Sequence, residues 1–165
     1  GELAEIIRQA VKLSGVRAVV ALGWGQQEAK TKDANIFYVK SVPHDWLFLH
    51  MAGAVHHGGA GTTATSLRHA LPTLVVPFGG DQPFWAERVY AAGCGPKAIP
   101  RDKLTAENLA EGLRALISNP EYTRNAARIG ETLRNEHGCA NAADLIEKAV
   151  WDWENGNPAH DGMNI

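Results

Sequence analysis

Two short runs hold the residues best able to do chemistry: His56-His57-Gly58-Gly59-Ala60-Gly61-Thr62-Thr63 and Phe78-Gly79-Gly80-Asp81-Gln82-Pro83. Glycines at 58, 59 and 61 lack side chains, so backbone N–H groups there can come close to an anion. The hydroxyls of Thr62 and Thr63 follow where a helix would begin, beside the positive end of its dipole. That combination suits a phosphate. His57 stands at the mouth of the same turn, where its ring can donate a hydrogen bond to a phosphate oxygen. Asp81 and Gln82 place a carboxylate beside an amide, and together they suit the bidentate hydrogen bonding that orients a polyhydroxylated ring. Asp81 also lies just before Pro83 at a helix start, the place of a capping aspartate, and the two roles are compatible.

These runs need a frame that brings them to one rim. Residues 17–22 (RAVVAL) and 36–39 (IFYV) are short β-branched runs that read as buried strands. Residues 54–57 read as a third strand, 62–70 as a helix, 73–76 as a fourth strand and 83–92 as another helix. This alternation predicts a parallel sheet. Residues 97–99 fit a last short strand ended by Pro100. At the start, Leu3, Ile6, Ile7, Ala10, Val11 and Leu13 recur at helical spacing, closed by Ser14-Gly15. Beyond Pro100 the periodicity is helical over 105–117, 122–135 and 140–153. The expectation is an α/β domain over residues 1–153, a Rossmann-like parallel sheet flanked by helices, followed by a polar, flexible tail over 154–165.

In such sheets ligands bind beyond the carboxyl ends of the strands, so the glycine turn and Asp81-Gln82 are expected to face one crevice. Neighbouring strand residues point to opposite faces, so His56 and His57 cannot both serve one ligand atom. One of them is structural.

The chain has 165 residues, 45% hydrophobic and 21% charged with 17 glycines, which fits one soluble α/β domain. Its formal charge of -2, with both signs interspersed, gives no footprint for nucleic acid or an anionic membrane. Cys94 and Cys139 read as two free thiols. With no apolar stretch of membrane-spanning length and no secretory signal pattern, the expected location is cytoplasmic. The chain opens directly on a helix without a starting strand, from which we expect a longer parent chain.

Other ligand motifs fit less well. Gly59-x-Gly61-x-x-Ala64 matches the dinucleotide fingerprint in form, but its ribose-holding acid should end the next strand, which here ends in Val76-Pro77. No lysine follows the glycines as in a Walker loop, and no GxSxG elbow is present. Seven histidines show neither HExxH nor Cys/His ligand spacing, so no metal is expected. Trp46, Phe48, Phe84 and Trp85 read as core or helix-packing residues. Trp24, in a glycine-flanked loop, is the candidate for stacking.

From Ser41 to Gly95, the strings VPHDWLF, HHGGAGTT and PTLVVPFGGDQPFWAERV, with Gly93-Cys94-Gly95, resemble the carboxyl-terminal domain of family-1 glycosyltransferases of GT-B fold. The likeness is greatest to the sterol 3-beta-glucosyltransferases of fungi and plants, then to bacterial glycosyltransferases that decorate antibiotics, and covers most of residues 1–149. It implies the C-terminal half of a GT-B fold, UDP-glucose as donor, inverting transfer without metal or other cofactor, and a sterol or similar lipid alcohol as acceptor. By the same resemblance His57 contacts the diphosphate, and Gly59, Gly61 and Thr62 cradle it. Asp81 with Gln82 holds the glucose hydroxyls, and Val42 holds the uracil through backbone bonds. Two features depart from the plant secondary-metabolite branch: Thr65 stands where that branch has a ribose-binding glutamate, and its uracil-stacking tryptophan is missing. The resemblance assigns the catalytic base to an amino-terminal acceptor domain outside these residues, which leaves this chain able to bind donor but not to turn it over. Any attachment to membranes would likewise come from outside it. A catalytically incomplete nucleotide-sugar-binding module is the alternative. A UDP-sugar epimerase would need acids and bases in both halves, and no such set is found.

Overall fold

The computed structural model describes residues 1–22 and 33–156. Trp24 and its loop, and residues 157–165 of the expected tail, lie outside them. In α1 (Glu2–Ser14) the apolar residues fall on one face, with Ala10 and Val11 buried, and Gly15 ends the helix at φ 75°, its N–H bonded to Val11 O. Then come β1 (Ala18–Ala21) and β2 (Ile36–Val39), paired in parallel with Ala18 opposite Ile36. A one-turn helix that periodicity did not reveal, α2 (His44–Leu47), follows Pro43 and runs into a 3-10 turn at Phe48–His50. Strand β3 (Ala54–His56), helix α3 (Ala60–Arg68), strand β4 (Thr73–Val75) and helix α4 (Gln82–Ala91) complete the alternation. β3 and β4 are parallel, with His56 opposite Val75.

β4 is buried on both faces, as a strand between two helical layers must be. Leu74 and Val76 point one way, into a cluster with Ala10 of α1 and with Leu109, Ala110 and Leu116 of α5 (Ala106–Ser118). Val75 points the other way, toward Leu67 of α3, Ala86 and Val89 of α4, Cys94, and Ala126 of α6 (Pro120–Arg134). Thr105 starts α5 with a reciprocal capping box: its hydroxyl accepts the Asn108 N–H, and the Asn108 side chain accepts the Thr105 N–H.

The expected single sheet is present among the described residues as two parallel pairs, β1–β2 and β3–β4. Between β1 and β3 runs a cleft of about 370 Å³, lined by Val19 and Ala21 on one side and Ala54 and His56 on the other. Residues 97–99 form no strand. Ile99 N–H bonds to Val75 O and Thr73 N–H to Cys94 O, but Pro96 and Pro100 bracket the segment and cannot donate to a ladder.

The chain divides into two compact units, residues 1–133 and 134–165. The first contains all the described strands. The second contains α7 (Gly138–Glu154), of which no residue is buried. Both cysteines are free, Cys94 buried and Cys139 exposed, and burial pushes the Cys94 thiol pKa up. Among the described residues no helix is long and apolar enough to cross a membrane.

Candidate functional site

β3 ends one residue earlier than its sequence suggests, and this places His57 beyond the ladder, exposed at the start of the glycine turn. His56, the last strand residue, is half-buried. Its Nδ1 accepts the Gly58 N–H at 3.0 Å. The two rings stand edge to face with centroids 6.3 Å apart. The end of the strand thus separates the pair into an inner and an outer histidine.

The three glycines have different tasks. Gly58 is buried at φ 90°, and a Cβ on it would meet Val75 Cγ1 at 2.6 Å and Gln82 O at 3.2 Å. Its N–H is already taken by His56, so it is not one of the donors offered to an anion. At Gly59 a Cβ would lie 2.5 Å from His57 Nε2, so the missing side chain gives the imidazole its place over the turn. At Gly61 a Cβ would meet nothing within 4 Å. There the first turn of α3 borders open space.

Helix α3 starts at Ala60, two residues before the expected position, and its amino end carries no side-chain cap. The first helical bond runs from Thr63 N–H to Gly59 O at 2.9 Å, so the N–H groups of Ala60, Gly61 and Thr62 have no helical partner. They project at the positive end of the helix, the arrangement that receives anions. The early start also turns Thr63 inward. Its side chain is 3% exposed and its Oγ1 is buried with no hydrogen-bond partner. Thr62, half-buried in the first turn, is the hydroxyl left near the mouth.

Asp81 and Gln82 lie beyond β4, and Gln82 comes against the glycine turn at Gly58. Gln82 Oε1 accepts the N–H groups of Phe78 at 2.7 Å and Gly79 at 3.2 Å, closing the loop, and its amide NH₂ makes no hydrogen bond among the described residues. Asp81 occupies the cap position of α4, but its side chain makes no cap bond; Oδ2 accepts the Trp85 indole N–H at 2.9 Å. That bond joins residues one helical turn apart, and residue types alone, which mark Trp85 as a packing residue, do not reveal it. Phe48 is buried as expected, whereas Trp46 and Phe84 are exposed rather than core. Val42 is partly buried in the segment between β2 and α2, following the other strand pair, and no hydrogen bond among the described residues joins it to the glycine turn. Also among the described residues, no three His, Cys, Asp or Glu side chains cluster as metal ligands would.

Burial, helped by His57 and His44, holds the His56 pKa down at about 4 against an ordinary 6.5. The unfolded chain therefore takes up a proton near pH 6.5 that the folded chain refuses until about pH 4. Stability from this source is complete above pH 6.5 and is lost as pH falls toward 4. We expect chemical unfolding to show a loss on the order of 3 kcal/mol across that window, and a clearly smaller one in His56→Asn. Parallel pH profiles for the two proteins would contradict this.

The family model for the erythromycin biosynthesis protein CIII-like C-terminal domain matches residues 5–147. The chain belongs to this family. It is thus a carboxyl-terminal domain of the family-1 GT-B glycosyltransferase type. This EryCIII-like domain is 42% identical over 146 residues to the sterol 3-beta-glucosyltransferase UGT80B1 of Arabidopsis thaliana, covering 87% of the chain and 24% of the relative. It is 40% identical to the sterol 3-beta-glucosyltransferase of Kluyveromyces lactis, covering 88% of the chain and 12% of that protein. The domain therefore spans a quarter or less of these relatives. Among solved structures, the glycosyltransferase of kitacinnamycin matches with a TM-score of 0.74 at 26% identity, over 87% of this chain and 39% of that one. The glycosyltransferase VinC, solved in complex with dTDP, matches with a TM-score of 0.68 at 28% identity, over 78% of this chain and 33% of its own. The α/β fold with parallel strands flanked by helices agrees with these neighbours.

Proposed function

We propose that this domain binds UDP-glucose at the mouth of α3 and serves as the donor half of an inverting glycosyltransferase. The acceptor in this reading is a sterol or similar lipid alcohol held by a separate amino-terminal domain. The observation that carries the reading is the uncapped start of α3, with three unpaired N–H groups beside the exposed His57 and with Gln82, next to Asp81, against the turn. A diphosphate takes the N–H groups, Thr62 and His57. The hexose takes the Asp81 carboxylate and the Gln82 amide, and the nucleoside extends toward Val42. Thr63 contributes packing.

As the bond to the sugar breaks, negative charge grows on the departing diphosphate, and fixed dipoles aimed at that charge lower the barrier. His57 and the α3 terminus supply them, so we assign the stabilisation to protein groups and not to a divalent cation. Deprotonation of the acceptor hydroxyl falls to a base outside these residues. The sterol acceptor rests on the relatives, which are sterol 3-beta-glucosyltransferases.

Calorimetric titration of the full-length protein with UDP, UDP-glucose, UDP-GlcNAc, dTDP and NAD tests the donor reading. UDP-glucose and UDP are expected to bind, UDP-glucose the more tightly. Preference for dTDP would overturn the nucleoside assignment, and binding of NAD alone would overturn the whole reading. UDP-glucose binding without transfer to any sterol would leave a nucleotide-sugar-binding module.

A further inference from the structure

The inner histidine has no place in the donor contacts, yet residue 56 is held at two points. Its carbonyl accepts the Val76 N–H at 2.9 Å, which fastens the main chain to the end of β4. Its imidazole Nδ1 accepts the Gly58 N–H at 3.0 Å, reaching over His57 to the next residue but one. A ring nitrogen that accepts must be unprotonated, so the neutral ring carries its proton on Nε2. Gly58 sits at φ 90°, with Val75 Cγ1 and Gln82 O where a side chain on it would be. The peptide on either side of His57 is thereby fixed at both ends.

We propose that His56 is a positioning residue: as the Nε2–H tautomer it accepts the Gly58 N–H and so sets the direction in which His57 meets its ligand. A histidine kept only for bulk would need a ring of the right size. A histidine kept for this bond needs an acceptor at the Nδ1 position, and burial supports that role by keeping the ring neutral, since a protonated ring has no acceptor to offer. Asparagine is the side chain that restores the acceptor, because its Oδ1 readily bonds the N–H two residues on. Glutamine, one carbon longer, carries its oxygen past that point. Phenylalanine keeps a ring and loses the acceptor.

The consequence for transfer rests on the donor reading above, whereas the bond itself does not, so the test has two parts, both on the full-length protein. Hydrogen exchange without ligand is expected to be faster in the 56–63 segment of His56→Phe and His56→Gln than in wild type, and near wild type in His56→Asn. Kinetically, His56→Asn should stay close to wild type, while His56→Phe and His56→Gln lower kcat about tenfold or more with a smaller change in donor KM. Adding His56→Phe to His57→Ala should cost little beyond His57→Ala alone, because the two act through one contact. If His56→Phe does not fold, the Asn and Gln variants decide between them. The proposal falls if Asn is no better than Gln, if exchange in the segment is unmoved by loss of the acceptor, or if the two substitutions add in full. Normal exchange behaviour with no UDP binding would instead sink the donor reading and leave the bond standing.

Discussion

Replacing His57 by alanine in the full-length protein is expected to lower turnover at saturating UDP-glucose by about 10²–10³-fold, or about 2.7–4 kcal/mol of transition-state stabilisation. The magnitude follows from the position of the ring. It is exposed beyond β3, over Gly59, beside the unpaired N–H groups of α3, and so belongs to a preorganised set of donors aimed at one anion. Such donors act mainly where charge develops, so the loss should appear in kcat more than in donor KM. The fold has little reason to object, because the side chain leaves no cavity when truncated. Unchanged turnover at saturating donor would remove His57 from the mechanism.

Gly61→Leu is expected to abolish measurable UDP binding, a loss on the order of 100-fold or more, while the protein stays folded. A Cβ at 61 meets nothing within 4 Å, so the fold has room for the new side chain, which on the donor reading stands in the way of an anion approaching the N–H groups of 60–62. The helix itself should gain by up to about 1 kcal/mol, since glycine is a poor helix former. Gly58→Ala is the contrasting case. With φ at 90° and a Cβ 2.6 Å from Val75 Cγ1, it is expected to lower unfolding stability. The cost should be on the order of 1–3 kcal/mol. Calorimetry with UDP and thermal unfolding separate the two. Undiminished UDP binding by Gly61→Leu would move the diphosphate away from α3.

The strands were legible because β-branched runs such as Ala18–Ala21 and Thr73–Val75 alternate with helical periods, and a parallel arrangement follows from that order. The grouping of His57, Gly59, Gly61, Asp81 and Gln82 at adjoining strand ends was legible for the same reason. What spacing could not supply was partnership. Gly58, Gly59 and Gly61 look alike as letters, yet one N–H is spent on His56, one position makes room for a ring and one borders open space. Thr62 and Thr63 also look equivalent. A helix starting at Ala60 puts Thr63 on the buried face with Ser66 and Leu67, because three- and four-residue steps share a side. The turn at 44–50 escaped because one helical turn shows no period. Residues 97–99 follow the strand pattern in type but are denied a ladder by their prolines.

The gap between the two strand pairs has a consequence for the order in which this domain melts. β4 is buried on both faces between helical layers, whereas β1 has no fully buried residue and β2 has only Ile36. A two-stranded ribbon without such cover is marginal on its own, and parts of a protein open in cooperative units according to their burial. The β1–β2 ribbon should therefore loosen first, taking the Val42 end with it, while the glycine turn remains anchored to β4. A nucleotide sugar would then be gripped by its phosphates from the durable half of the domain and have its base read by the half that opens earliest.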